Sequence, residues 1–163
     1  MTTGMTDPAG SQDNLEELPA QAFYAPGRLL HGRELRALSP EECLGLLEPG
    51  GVGRVALMSA EGIVVLPVNY AMTAKTIVFR TAPDTLLAAH VHEQVTFEAD
   101  HLDETAREGW SVMVQGRARE ISGEPQVRAL EKGTGLEPWA VGARDVWVRI
   151  SLARISGRRI QQA

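Results

Sequence analysis

One cysteine, Cys43, stands among 163 residues. It cannot close an internal disulfide, and it fits a reducing compartment. Aromatic residues are scarce, with three Trp, three Phe and two Tyr. That leaves no interleaved aromatic platform for single-stranded nucleic acid. Positive charge is not in excess either. The formal net charge is −5, the wrong sign for a surface that wraps a polyphosphate, although a few local cations can still hold a small anion. No apolar run approaches the about 20 residues a membrane helix needs, and the N-terminal segment lacks the apolar core of a signal peptide. Together these absences predict a soluble, cytoplasmic protein with neither membrane nor nucleic acid as its partner.

Compact metal motifs are missing as well. His90, His92 and His101 lie near Asp100 and Asp103, but His90-x-His92 straddles the end of a short helix. No His-Glu-x-x-His box occurs, so no metal site is expected. Cys43 reads as a small buried hydrophobe rather than a nucleophile.

What is present suggests a single domain over residues 31–163, preceded by a flexible tail over residues 1–30 that touches the body, if at all, through Phe23 and Tyr24. Ser39-Pro40-Glu41-Glu42 is a helix start with Ser39 as N-cap and Glu42 three residues later. Strands follow at Gly53–Ser59, Ile63–Ala71, Ile77–Thr81, Val95–Asp100, Trp110–Ile121 and Val146–Ile155, with short polar turns between the early ones. Short helices are expected over Leu86–Val91 and Glu124–Lys132. The predicted fold is mainly β (α+β): a six-stranded antiparallel split β-barrel with two to three short helices.

The segment Thr76 to Asp100 carries the candidate chemistry. A strand ends on Arg80-Thr81, a polar turn follows, and Asp84 or Thr85 caps the next helix. Helix starts expose unpaired N–H groups, so this is either an anion cradle or an ordinary strand–helix connection. Arg117, Arg119, Arg149, Arg154, Arg158 and Arg159 add a cationic set on the late strands. They either pair with the acidic excess or close over a polyanionic tail.

Taken in order, GRVALMSAEGIVVLPVNYAM (Gly53 to Met72), TIVFRTAPDTLLAAH, VTFEADHLDETAREGWSVMVQGRARE (Val95 to Glu120) and VWVRISLARISGRRI resemble the pyridoxamine 5′-phosphate oxidase-like family of split-barrel flavin proteins. The similarity is closest to its small actinobacterial and nitroimidazole-reductase-like branches. The resemblance implies a homodimer with two flavin mononucleotide (FMN) sites at the interface. Pro67, Val68 and Asn69, with Phe79, Arg80 and Thr81, would line the flavin and its phosphate tail, and Thr85 would sit at the phosphate. Trp110 and Gln115 would come from the partner chain. Guanidinium, hydroxyl and backbone donors suit a phosphate, and strand edges with an aromatic wall suit an isoalloxazine. Deazaflavin and haem are the alternative cofactors.

Two residues depart from the pattern. Flavin-binding members resembling this chain usually place a lysine after the Thr85 position, where this chain has Leu86, and Asp84 sets a carboxylate beside the cradle. One lost charge-assisted contact costs about 1.5–3 kcal/mol. Arg80 stays as the main cation, with Lys75 in the neighbouring turn as a second. The usual closing Arg-x-His is replaced by Arg158-Arg159-Ile160, which argues against pyridoxamine phosphate oxidation itself. The expectation is a flavin- or deazaflavin-dependent oxidoreductase, or else a non-catalytic cofactor-binding or storage barrel.

Overall fold

The structure, a computed structural model, describes residues 32–163. The tail predicted over residues 1–30, with Phe23 and Tyr24, lies outside the described residues. Among the described residues eight strands and three helices follow one another: β1 (Arg33–Leu38), α1 (Pro40–Leu47), β2 (Gly51–Ser59), β3 (Gly62–Thr73), β4 (Thr76–Thr81), α2 (Leu86–Ala89), β5 (Gln94–Asp103), β6 (Glu108–Glu120), α3 (Glu124–Thr134), β7 (Val146–Ile150) and β8 (Arg154–Gln162). The sheet runs β1-β8-β6-β5-β2-β3-β4-β7, and a further β6–β7 pairing joins its far strand back to β6. Strands β2 to β7 therefore form a closed antiparallel ring, the six-stranded barrel expected, with β8 and β1 as an added flap.

The ring closes because β6 changes neighbours along one edge. Gly109 to Gln115 pair with β8, and Ala118 to Glu120 pair with β7. Ser151 to Ala153 cross between the two sites, held by Ser151 N–H to Arg117 C=O at 3.2 Å and Ala153 N–H to Gln115 C=O at 3.1 Å. The segment read from sequence as one strand, Val146–Ile155, is thus two strands with a break at the split. β1 is a second strand absent from the expectation. Its charged sequence RELRAL gives no β signal, and it is held by antiparallel pairing to β8 from Arg33↔Gln162 to Leu38↔Gly157.

Alternation along the strands sets the core. Val55, Leu57, Val68, Tyr70, Phe79, Phe97, Val112, Val114, Val148 and Ile150 point inward and are buried. Tyr70 and Phe97 meet edge to face at a centroid distance of 4.8 Å. Gly53 makes room for them, since a Cβ there would sit 2.3 Å from the Phe97 ring. Helix α1 closes one side of the barrel with Cys43 and Leu47, both fully buried. It begins with the expected capping box: Glu42 N–H donates to Ser39 Oγ at 3.2 Å, and Ser39 N–H donates to Glu42 Oε2 at 2.8 Å. Among the described residues no helix is long and apolar enough to cross a membrane.

Candidate functional site

The predicted site residues divide by face. Val68, Phe79 and Thr81 point into the barrel and are 7%, 1% and 1% exposed, so they can offer a ligand only their main chain. Asn69 and Arg80 point outward. The register Val52↔Asn69, then Tyr70↔Phe79, then Arg80↔Trp147 lines up Val52, Asn69, Arg80 and Trp147 across β2, β3, β4 and β7. Strands lie about 4.8 Å apart, so the row spans about 14 Å, the scale of a flat tricyclic ring. Pro67 is exposed on the same outer surface, opposite Arg54.

Arg80 is the centre of this row. Its guanidinium lies 5.3 Å over the Trp147 ring, a cation–π contact. Its Nε–H donates to the Arg144 carbonyl at 2.8 Å, and its NH2 group lies 3.9 Å from Asp145 Oδ1. Asn69 Oδ1 accepts the Trp139 main-chain N–H at 2.9 Å. Asn69 and Arg80 are therefore both engaged by one irregular segment, residues 135–145, which runs from the end of α3 back to β7. Trp147 is 1% exposed on the outer side of its strand, and its Nε1–H is buried without an acceptor. A buried donor left unpaired carries a desolvation cost.

The turn after Arg80 is built as a cap. Thr81 and Thr85 hydroxyls meet at 2.7 Å, Thr85 Oγ1 donates to the Ala82 carbonyl at 2.8 Å and accepts the Ala88 N–H at 3.3 Å. Because Thr85 spends its only proton on Ala82, Thr81 must be the donor within the pair. Neither hydroxyl proton is left for a phosphate. Asp84 is exposed beside the turn, and Leu86 packs against the core. Lys75 is not a second cation for this site. It lies at the other end of β4, five residues from Arg80 and so about 16 Å away, exposed in the Ala74-Lys75 turn.

Trp110 and Gln115 stand apart from this row in the same protomer. Gln115, opposite Thr96 and Arg154, lines a 670 Å³ cleft with Ala56, Met58 and Ile63. Trp110 packs at the edge of the core, opposite His101 and Arg159. The cleft borders exposed apolar side chains: Met58 at 61%, Ile63 at 72% and, on the next outward position, Val65 at 55%.

Among the described residues the titratable groups show no conspicuous acid–base pair. Burial pushes the Cys43 thiol up to about 11 and the Tyr70 phenol up to about 12. Glu98 is raised by burial and by Asp100, against Arg54 at 3.1 Å. His90 Nδ1 is occupied by the Leu86 carbonyl at 2.8 Å. Among the described residues no three His, Cys, Asp or Glu side chains come together to hold a metal ion.

Sequence reasoning overlooked Trp139, Arg144, Asp145 and Trp147. Residues 135–145 lack periodicity, and only the pairing of β4 with β7 reveals that they return to Arg80.

Residues 39–159 match the sequence profile of the family described as pyridoxamine 5′-phosphate oxidase. An uncharacterized protein of Mycobacterium tuberculosis is 33% identical over 134 residues, covering 78% of this chain and 87% of its own length. The structure of the FAD binding protein from Mycobacterium smegmatis is 32% identical, with a TM-score of 0.63, covering 76% of this chain and 96% of that one. A FAD-binding protein from Mesorhizobium loti is 26% identical with a TM-score of 0.63, covering 80% of this chain and 99% of that one. The chain belongs to the pyridoxamine 5′-phosphate oxidase family.

Proposed function

We propose that this chain binds a flavin on the outer face of β3 and β4 and works as a flavin-dependent oxidoreductase on a small molecule. The observation that carries this is the Val52–Asn69–Arg80–Trp147 row, where an amide and a guanidinium share the outer face, with Trp147 buried beneath Arg80. Relatives described as FAD-binding support the cofactor class. The donor set fits the polar edge of a flavin ring: the Asn69 amide NH2 makes no hydrogen bond among the described residues, and Arg80 retains N–H groups beyond the one spent on Arg144. The flavin would supply the electron transfer, and the protein would orient it and exclude water from one face.

The phosphate side of the site is weaker. Arg80 is shared with Asp145, Thr85 is committed to its cap, and Leu86 packs against the core. A dianionic phosphate monoester would meet one guanidinium and two nearby carboxylates. FMN is therefore expected to bind less tightly than the family pattern implies. This same observation favours a second reading, a barrel that binds or stores a cofactor without turning it over. Deazaflavin remains an alternative to flavin on the same surface.

A homodimer completes the proposal. Met58, Ile63 and Val65 stand exposed around the Gln115 cleft, and a second copy seated there would bury them and bring Gln115 and Trp110 towards a neighbouring row.

The deciding experiment is titration of the purified protein with FMN, FAD and a deazaflavin, followed by absorbance and thermal melting. Saturable binding of one of them with a raised melting temperature supports a cofactor site. Reduction of the bound cofactor by a nicotinamide donor, with turnover on a nitroaromatic or quinone acceptor, separates the enzyme from the storage protein. A colourless protein that none of the three stabilises overturns both. Light scattering tests the dimer, and a folded monomer at micromolar concentration would refute it.

A further inference from the structure

We infer that Trp139 is the aromatic wall of the flavin site, supplied by the same protomer through the 135–145 segment. This rests on the flavin reading above. The segment is pinned at Trp139 itself and again at Arg144, five residues on. The Trp139 N–H is held by Asn69 at 2.9 Å, and the Arg144 carbonyl is held by Arg80 at 2.8 Å. Its backbone is thus fixed to the two outward polar residues of the row, while Trp139 is 80% and Val141 95% exposed.

An indole left that exposed on a segment fixed at Trp139 and Arg144 gains nothing from the fold. Fully burying a large aromatic is strongly favourable, so a pinned and uncovered Trp is set up to be covered by something else. Its position selects the occupant. A ring hydrogen-bonded to Asn69 and Arg80 cannot stack on Trp147, which is 1% exposed beneath Arg80. Trp110 is on another part of the barrel, paired with His101 and Arg159. Among the three Trp residues, Trp139 alone is exposed and main-chain bonded to the row. A flat, electron-poor ring stacked on an indole also quenches its emission, which gives the contact its own signal.

The test uses the full chain with FMN and FAD as probes, following tryptophan emission and visible flavin absorbance. In the wild-type protein, flavin addition quenches the exposed tryptophan component. Trp139→Phe keeps a ring and should hold affinity within about threefold while removing most of that quenching. Trp139→Ala should lose about tenfold in affinity, equivalent to about 1.4 kcal/mol. Its melting temperature without flavin should be unchanged, because the side chain is exposed. Three results would overturn the inference: unchanged quenching in Trp139→Phe; affinity lost in Trp110→Phe but kept in Trp139→Ala; or a Trp139→Ala protein that binds flavin normally but dissociates into monomers. If the wild-type protein binds neither probe, the flavin reading itself fails, and the inference fails with it.

Discussion

Gly116 lies directly under the Ser151 carbonyl: a Cβ on Gly116 would stand 1.6 Å from that oxygen. No rotamer change relieves such a clash, because both partners are main chain. The Ser151–Ala153 crossing, bonded to Arg117 and Gln115 on either side of Gly116, could not approach β6 over any other residue. The split that lets β7 and β8 share one edge of β6 depends on this missing side chain.

Gly116→Ala should therefore destabilise by about 3 kcal/mol or more, since the backbone must move apart to admit the methyl. That corresponds to a fall of roughly 10 °C in melting temperature. Gly45→Ala in α1 and Gly133→Ala in α3 are the controls. Neither added Cβ meets an atom within 4 Å, so each should stabilise by about 0.5–1 kcal/mol through helix propensity. Differential scanning calorimetry on the three variants checks the contrast, and a well-folded Gly116→Ala protein near the wild-type melting temperature would refute it.

Thr85 offers a way to separate capping from ligand binding. Its hydroxyl donates to Ala82 and accepts from Ala88 and Thr81. Thr85→Ala removes an N-cap and leaves the buried Thr81 hydroxyl without its acceptor, for a combined loss of about 1–2 kcal/mol. Thr85→Ser keeps the oxygen and should recover most of it. Flavin affinity, measured by titration below the lower melting temperature, should change by less than about threefold in both. A tenfold loss of FMN affinity in Thr85→Ala that Thr85→Ser restores would show instead that the hydroxyl serves the phosphate.

Much of the barrel was legible because it rests on local signals. The Ser39–Glu42 capping box and the hairpin turns around Gly62 and Ala74-Lys75 read from residues close in sequence. β1 was not legible because RELRAL becomes a strand only by pairing with β8, more than 100 residues later. The break between β7 and β8 was hidden for a similar reason. Ser151-Leu152-Ala153 carries no turn signal, and its cause, Gly116, is on a strand distant in sequence. The site was half legible. Asn69 and Arg80 are named through the family resemblance, which sets the inward Val68, Phe79 and Thr81 beside them, whereas Trp139, Arg144 and Asp145 join them through a segment with no period at all.

Glu42 gives the pH dependence with the clearest sign. The hydrogen bond from Arg36, with help from the Ser39 N–H, lowers its carboxyl to about 2. A carboxyl with a depressed folded value stabilises above its ordinary value near 4.5, and that stabilisation is lost as pH falls towards 2. Urea midpoints should therefore converge between the wild type and Glu42→Gln as pH drops through this window, and differ most at neutral pH. A constant difference from pH 7 to pH 2.5 would contradict the assignment. Because the pair is solvent-exposed, the gap should also shrink in high salt.

Cys43 tests how tightly α1 closes the barrel. The thiol is fully buried, burial pushes it up to about 11, and a Cβ on Gly157 would stand 2.7 Å from its Sγ. Alkylation needs both thiolate and access, and the native state provides neither. Iodoacetamide at pH 8 should leave the folded protein unlabelled over hours but label it within minutes in denaturing urea. Gly157→Ala pushes a methyl into the same space, and it should open the contact between α1 and β8, speeding native labelling by at least tenfold. Rapid labelling of the native wild-type protein, followed by mass spectrometry, would show that α1 is not docked. Labelling that stays slow in Gly157→Ala would show that the helix tolerates the intrusion without opening.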